Sequence, residues 1–393
     1  MRHLFRISGF LFTTFSLLHA QTEAELQQRI DAAIKAGGGE IVVPAGTIKI
    51  EKGLTLKSAK HVRLTSADRE KTVLQLGPLA YAEAAADVPA GASSLPVKRV
   101  QNLTVGMRLW IEANGEMDSF TQKPRPYVLA TVKAVETGRF VLEAPLKFPV
   151  PQGTVIRHAD APNLIEIRGE SDDVRIDNLT IDGGRKDSDP VVRTHAQRCG
   201  VFASSAYTYE KGPTGPQVKN VSISCCTIRN CTGRGIAFYA VEKGLIESCH
   251  ISGTNEEGID LDHFTVNIVA RQNHVERSHV GIELNDASDC VVENNVFEHC
   301  NLGFNLWRWC KQSGLNERNH IMGNVFADSE SNGMTIAKGT ADNLITGNKI
   351  TNSGLHGISL AGNHQTVTKN QISGFKKKSI VIVEGEHTVT DNE

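Results

Sequence analysis

Carboxylate side chains are concentrated in one short segment of the chain. Residues 256–264 read EEGIDLDHF, so Asp260 and Asp262 alternate with apolar residues and are followed by His263. A similar segment, GIELND, places Glu283 one repeat later. Carboxylates held close together raise one another's pKa or bind a cation. The pattern therefore allows acid–base hydrolysis, a Ca²⁺ site formed by Asp260, Asp262 and Glu283, or proton transfer between an acid and a basic group.

Three basic residues are candidates for that proton transfer. His263 follows the acidic strand directly, while Arg308 and Lys338 occupy the equivalent exits of later repeats. Each also has a structural alternative, since His263 can cap its strand or bind Asp262, and the other two can form salt bridges with the acids. The residues alone leave the base unassigned.

A repeat of about 23 residues positions these side chains. Segments of the form Gly-apolar-x-apolar recur as GIAF, GIDL, GIEL, GFNL, GMTI and GISL, beginning at Gly235 and ending with the segment at Gly357. Strands this short cannot bury an apolar face alone, so successive repeats must stack. The pattern predicts an all-β parallel β-helix with three short strands in each coil.

A second periodic series supports the stack. One turn position is occupied in successive repeats by Cys226, Cys249, Asn273, Asn295, Asn324, Asn348, Asn370 and Asn392. Stacked asparagines form ladders of hydrogen-bonded amides and tolerate left-handed backbone, so we expect a structural asparagine ladder. We expect the cysteines to be buried free thiols, with Cys226 and Cys249 as the one pair to test for a disulfide.

The repeat also predicts which side chains face outward. Ile259 and Leu261 should fill the core, which leaves Asp260 and Asp262 on the outer face. Stacking then aligns further outer-face residues with these acids, and the ones expected to bind substrate are Tyr239, Asn285, Asn305, Trp307 and Trp309. Lengthened loops at 206–217 and 307–319 would wall this face. Glu256 and Glu257 are expected in the preceding turn, as solvated side chains.

The whole chain divides into four regions. Residues 1–20 have the basic start, apolar middle and small-residue end of a secretory signal, which predicts a secreted or periplasmic protein. Residues 21–84 should form an N-terminal capping helix and the first coils, and residues 85–158 a small inserted β-domain of hairpins. Residues 159–393 should form the β-helix that carries the site.

Composition excludes two classes of partner. The formal net charge is −2, and we find no basic patch of the kind that binds nucleic acid. Beyond the signal, no apolar run is long enough to span a membrane. The oligomeric state is not specified by the sequence.

Several motifs resemble known families. The helix, GGG, short apolar strand and Pro-Ala-Gly of residues 22–46 resemble the start of secreted pectate-lyase-like proteins, which are right-handed parallel β-helices. GIDLDH resembles the Gly-aromatic-Asp-Pro-His motif of alginate C5-epimerases, which implies a catalytic role for Asp260 and an acidic role for Glu283. Asp262 stands where that family has histidine, and Glu257 where it has tyrosine. GMTIAKGTADNLITGN resembles the segment of alginate and chondroitin lyases that supplies a basic residue, here Lys338.

These resemblances imply an exported enzyme that abstracts the C5 proton of a uronate-containing polysaccharide, as a lyase or epimerase. An inverting glycoside hydrolase is the alternative, because its two carboxylates lie about 6.5–9.5 Å apart. Asp260 and Asp262, two residues apart on a strand, are separated by about 6.6 Å. A carbohydrate-binding β-helix without catalysis is the third possibility, since the fold itself does not determine function.

Overall fold

The computed structural model describes residues 21–192, 195 and 197–393. The predicted secretory signal at residues 1–20 lies outside these described residues. Within the described part of the chain, none of the helices is long and apolar enough to cross a membrane.

Three parallel sheets of 11, 10 and 10 strands form the body of the protein. Sheet 1 contains Gly39–Val43, Lys60–Ser66, Asp172–Asp177, Lys219–Ser224, Glu242–Glu247, Val266–Arg271, Val291–Glu293, His320–Met322, Leu344–Thr346, Thr366–Thr368 and Thr388–Thr390. Sheet 2 contains Leu54–Lys57, Ile165–Arg168, Val201–Ser204, Ile236–Tyr239, Glu257–Asp262, Val280–Asn285, Leu302–Trp307, Met334–Ile336, Ile358–Leu360 and Ile380–Ile382. Sheet 3 contains Gly46–Ile50, Thr72–Leu76, Thr180–Asp182, Thr227–Arg229, His250–Ser252, His274–Glu276, Val296–Glu298, Val325–Ala327, Lys349–Thr351 and Gln371–Ser373.

Each complete coil contributes one strand to each sheet, and Thr388–Thr390 adds a last strand to sheet 1, which confirms the predicted parallel β-helix. The core runs along its axis and consists of the inward side chains of all three sheets, such as Ile259 and Leu261 of sheet 2. The outward side chains of one coil lie beside those of the next, because parallel partners pair in register.

The asparagine ladder is present as predicted. From Asn273 to Asn370, each side-chain amide of the column donates a hydrogen bond of 2.8–3.0 Å to the next side chain. A second, unpredicted ladder occupies another turn, where Asn319 donates to Asn343 and Asn343 to Gln365, both at 3.0 Å. All eight cysteines are free, and all but one are buried. The two ladders satisfy buried amides that would otherwise destabilise the turns.

The N-terminal helix caps the stack. It spans Glu23–Lys35 and begins with a capping box between Thr22 and Glu25. Leu26 and Ile30 are fully buried on the first coils. The helix therefore covers the apolar end of the core and the open strand edges, as the sequence predicts.

A six-stranded antiparallel barrel interrupts the β-helix between its early coils. Its strands are Tyr81–Ala84, Ser94–Gln101, Arg108–Ile111, Val128–Glu136, Arg139–Leu142 and Val155–His158. Leu95 and Phe140 belong to its separate apolar core. A short hairpin of Tyr207–Thr208 and Gly212–Pro213 lies in the first lengthened loop. The sequence predicts hairpins at residues 85–158, and the structure shows that these hairpins close into the six-stranded barrel.

Candidate active site

The register of sheet 2 brings the predicted acids together. Asp260 pairs with Ala237 on one side and Glu283 on the other, and Glu283 pairs with Asn305. The neighbouring column contains Tyr239, Asp262, Asn285 and Trp307 in successive coils. Both columns match the alignment predicted from the repeat, and both lie on the outer face of the sheet.

These acids are covered rather than solvated. Asp260 is completely buried, Asp262 is 4% exposed and Glu283 is 7% exposed. The lengthened loops at 206–217 and 307–319 form a cover at the end of the acidic strand, where Gln312 Nε2 donates to the Tyr209 carbonyl oxygen and the rings of Tyr207 and Tyr209 lie near His263. A charged carboxylate is strongly disfavoured in such a place, so either a counter-ion or protonation must stabilise it.

Arg234 is that counter-ion, and sequence analysis missed it. Its Nη1 lies 2.6 Å from Glu256, and its Nε lies 2.8 Å from Glu257 and 2.6 Å from Asp260. The expectation that Glu256 and Glu257 are only solvated is wrong, because both pair with Arg234 and Glu257 is 8% exposed. One signal was available: the register that pairs Ile236 with Ile259 places Arg234 beside Glu257.

Several polar atoms of this cluster lie close together but lack well-directed hydrogen bonds. Nε and Nη1 of Arg234, Oε2 of Glu257 and both carboxylate oxygens of Asp260 are buried and make no well-directed hydrogen bond with the described residues. The ion pairs are short, but their N–H directions are poor. Buried polar groups in this state are costly, and a polar ligand would satisfy them.

Burial also changes the protonation of the acids. It raises the pKa of Glu283 to about 8, an effect that nearby Glu257 reinforces and that Trp307 and Asn305 oppose. The Asn305 amide donates to Glu283 Oε2 at 2.6 Å. Burial and the adjacent Asp262 likewise raise the pKa of Asp260 well above its usual range, although Arg234 works against them. Glu283 is therefore suited to donate a proton near neutral pH.

His263 is held at the exit of the acidic strand by two carboxylates. Its Nδ1 lies 3.0 Å from Asp262 Oδ1 and 3.2 Å from Asp286 Oδ2. Burial alone would raise the pKa of Asp286, but hydrogen bonds from His263 and the 309–310 backbone lower it. A proton on Nδ1 would leave Nε2 as the basic ring nitrogen. His263 and Phe264 both have positive φ, 34° and 65°, which turns the chain sharply out of the strand.

Aromatic side chains surround His263. Its ring centroid lies 5.3 Å from those of Tyr207 and Tyr239 and 4.9 Å from that of Tyr209. Of the predicted substrate-binding residues, Tyr239 and Asn285 are buried, while Asn305 and Trp307 are partly exposed.

Trp309 lies at the rim of the cover and is 37% exposed. Its ring centroid is 6.3 Å from that of Tyr209 and 6.0 Å from that of Phe120 in the inserted barrel. The barrel thus contributes to the wall over the acids.

Two predicted basic residues lie apart from the acids. Arg308 donates to the carbonyl oxygens of Cys310, Lys311 and Gly339 at 2.8–3.2 Å, so its guanidinium organises the second loop. Lys338 is exposed. The structure brings His263 to the acids, while Arg308 and Lys338 contact neither Asp260 nor Glu283 through any described ion pair.

Asp260, Asp262 and Glu283 are poorly arranged to bind a metal ion. The Arg234 guanidinium lies 2.6 Å from Asp260, in the region that a cation bound by that carboxylate would occupy. Among the described residues, the histidine, cysteine and carboxylate groups with ligand atoms mutually within 4.8 Å are His263–Asp286–Cys310 and His274–Glu276–Glu298. The predicted Ca²⁺ ligands Asp260, Asp262 and Glu283 are not such a group.

Comparison with known proteins supports the architecture. Residues 163–319 match the family model described as right handed beta helix region. No curated protein matches the sequence.

Solved structures with the same architecture include the A-modules of two Azotobacter vinelandii mannuronan C-5 epimerases. The AlgE6 module is 16% identical, with 91% of this chain and 74% of that chain covered and a TM-score of 0.60. The AlgE4 module is 18% identical, with 89% and 74% covered and a TM-score of 0.59. A protein described as a glycoside hydrolase is 10% identical, with 93% and 92% covered and a TM-score of 0.51. At these identities the likeness shows the fold alone, and the chain is a right-handed parallel β-helix protein.

Proposed function

We propose that the protein is an enzyme that abstracts the C5 proton of a uronate-containing polysaccharide, as an epimerase or a lyase. The observation that carries this proposal is the buried Arg234, whose Nε lies within 2.8 Å of Glu257 and Asp260, while burial raises the pKa of Glu283, the register partner of Asp260, to about 8. The epimerase modules among the structural neighbours agree with the proposal but share only the fold.

The first requirement of this chemistry is to neutralise the substrate carboxylate. A fully ionised cluster of acids would repel a uronate. Because burial raises the pKa of Glu283 to about 8, this side chain can be protonated near neutral pH and donate a hydrogen bond to the substrate carboxylate. Arg234 supplies the positive charge. These groups would stabilise the negative charge that moves onto the carboxylate when the C5 proton leaves.

The second requirement is a base and an acid beside the same carbon. We assign His263 as the base, because Asp262 and Asp286 orient its Nδ1. Tyr239, 5.3 Å from it between ring centroids, is the candidate acid. Burial raises the pKa of Tyr239 well above its usual range, so its hydroxyl keeps its proton. Return of a proton to the opposite face of C5 would give epimerisation, whereas loss of the C4 oxygen substituent would give elimination.

An inverting glycoside hydrolase is a second candidate, favoured by the protonation of Glu283. A carboxylic acid with a pKa of about 8 suits the protonation of a leaving oxygen. Asp262 would then activate water. This reaction needs no contact with a substrate carboxylate, so it leaves Arg234 without a role in catalysis.

The substrate must displace part of the cover to reach Asp260, which is fully buried. The loops at 206–217 and 307–319 are the elements that would move, since loops on a rigid scaffold commonly gate a site. We further propose that the protein is exported, which cleavage near Ala20 in secreted material would test.

A substrate panel tests the function. The purified protein is incubated with alginate, polygalacturonate and glycosaminoglycans, with Ca²⁺ or with a chelator. Ultraviolet absorbance of unsaturated uronate reports elimination, hydrogen exchange at C5 without cleavage reports epimerisation, and new reducing ends without that absorbance report hydrolysis. Turnover of neutral glycans alone would contradict the uronate proposal, and binding without turnover would indicate a carbohydrate-binding protein. Activity that survives the chelator would exclude a required Ca²⁺ ion.

A further inference from the structure

A second group of potential ligand atoms lies on the outer face of sheet 3, apart from the acids of sheet 2. It consists of His250, His274, Glu276 and Glu298. His250 pairs in register with His274, and Glu276 pairs with Glu298. Residues two apart on a strand point to the same side, so three successive coils bring these four side chains together.

The four side chains approach one another closely. His274 Nε2 lies 2.7 Å from Glu298 Oε1, and His250 Nε2 lies 3.4 Å from Glu276 Oε1. Ligand atoms of His274, Glu276 and Glu298 all lie within 4.8 Å of one another. The two imidazole rings stack with centroids 5.0 Å apart, which turns both toward the same side.

One atom of the group lacks a hydrogen bond. His250 Nε2 is buried and has no hydrogen-bond partner among the described residues, although it lies 3.4 Å from Glu276 Oε1. An imidazole nitrogen in this position is an available metal ligand. Two imidazoles and two carboxylates form a nitrogen and oxygen donor set that suits Zn²⁺ and related divalent transition metals.

We propose that His250, His274, Glu276 and Glu298 form a binding site for a divalent transition metal, with Zn²⁺ as the best match. The site is independent of the proposed catalytic function. Its ligands belong to three successive coils, so a bound ion would cross-link the stack. Because it would bind the folded chain only, it would raise the stability of the protein.

Arg277 would compete with a metal ion for the carboxylate of Glu276. Its guanidinium lies 2.7 Å from Glu276 Oε1, but its side chain is 62% exposed. Glu276 itself is 16% exposed and also accepts from Arg277 through Oε2 at 2.8 Å, so a metal that binds there must displace the arginine. Arg277→Gln should therefore tighten metal binding.

Equilibrium dialysis and calorimetry of the untagged full chain with Zn²⁺ test the proposal. We expect one saturable site per chain and a higher unfolding temperature with Zn²⁺. Both effects should disappear in His274→Ala and in Glu298→Gln, whose folding is checked by circular dichroism. His364→Ala is the matched control, since His364 is an exposed histidine with a single carboxylate partner, Asp342, at 3.6 Å. It should bind like the wild type.

Two further measurements distinguish this site from the other group of potential metal ligands. Cobalt(II) absorption reports the coordination geometry, and a sulfur-to-cobalt charge-transfer band would reveal a thiolate ligand. Loss of binding in Cys310→Ala with retention in His274→Ala would place the metal at the buried His263–Asp286–Cys310 group and overturn the proposal. Wild-type protein that binds none of Zn²⁺, Co²⁺ or Ni²⁺ would overturn it as well.

Discussion

The two halves of sheet 2 share one backbone frame but have different outer faces. In the strands Glu257–Asp262 and Val280–Asn285, the outward column contains Asp260 and Glu283. In the later strands, the same column contains Thr335, Ser359 and Val381. The coil therefore needs no charge at this position. The β-helix backbone forms in the later coils without acidic side chains in this column.

This difference indicates that the buried acids lower the stability of the folded protein. Burying carboxylates around one guanidinium is unfavourable unless geometry and hydrogen bonds are excellent, and here several hydrogen bonds are missing. Ala237 occupies the same column one coil earlier, fully buried, so an uncharged side chain fits. A costly arrangement on a frame that accepts alanine is typical of sites maintained for function. Four substitutions test how the charged cluster differs from the uncharged frame.

Replacing Arg234 should have the largest effect on stability. Arg234→Met removes the only cation that pairs with Asp260 among the described ion pairs. Loss of one partner from a buried ion pair costs about 3–5 kcal/mol of unfolding free energy. Urea unfolding measures the change. Arg318→Met is the control, because Arg318 and its partner Asp289 are 51% and 38% exposed, and it should cost about 1 kcal/mol or less. Similar losses in both variants would contradict the account.

An interruption of the asparagine ladder should come next. Asn324→Ala removes the acceptor of the Asn295 backbone N–H and the donor to the Val292 carbonyl oxygen. Each buried group left unsatisfied costs about 1–3 kcal/mol. Asn301→Ala, which removes an exposed hydrogen bond to Glu330 at a position without positive φ, should change the unfolding free energy by about 0.5 kcal/mol or less. Equal effects at the two positions would contradict a structural ladder.

The acid cluster should also give stability a distinct pH dependence. Burial raises the pKa of Glu283 from 4.5 to about 8, so the folded state binds a proton that the unfolded state releases between these values. Stability from this group is complete below about pH 4.5 and is lost as pH rises toward 8. In that window, wild type should lose about 1 kcal/mol per pH unit relative to Glu283→Gln. Parallel pH profiles of the two proteins would show that Glu283 titrates normally.

A change in the later half of sheet 2 should have the smallest effect. Ser359 occupies the acid column two coils after Asn305. Ser359→Ala should alter the unfolding free energy by about 0.5 kcal/mol or less. It should leave any polysaccharide activity unchanged. A large loss of activity would move the functional face toward the C-terminal coils.

The register of the site was predictable from sequence because the alternation of apolar residues fixes which side chains leave the coil. Asp260, Glu283 and Asn305 thus fall in one column on the sequence alone. The asparagine column was predictable for the same reason. A strict period of residues becomes a vertical line of side chains once the coils stack.

Other features depend on geometry that the repeat does not encode. Arg234 lies just before its strand, where alternation no longer fixes the direction of a side chain. Its pairing with Glu256 depends on the path of the turn between strands. The burial of the acids depends on loops outside the repeat. Barrel closure joins Ser94–Gln101 to Arg139–Leu142, and local alternation carries no information about such pairing.

In the proposed reaction, the cluster around Arg234 and Asp260 stabilises the uronate carboxylate while His263 removes the C5 proton. The most direct measurement is release of tritium to solvent from uronate oligosaccharides labelled at C5, because both epimerisation and elimination break that bond. Asp260→Ala and Ser359→Ala make the same kind of truncation in one column. We predict release by the wild type and by Ser359→Ala, with a loss of about 10²–10³-fold in Asp260→Ala. Equal release by folded Asp260→Ala and wild type, or none by the wild type on any uronate, would contradict the account.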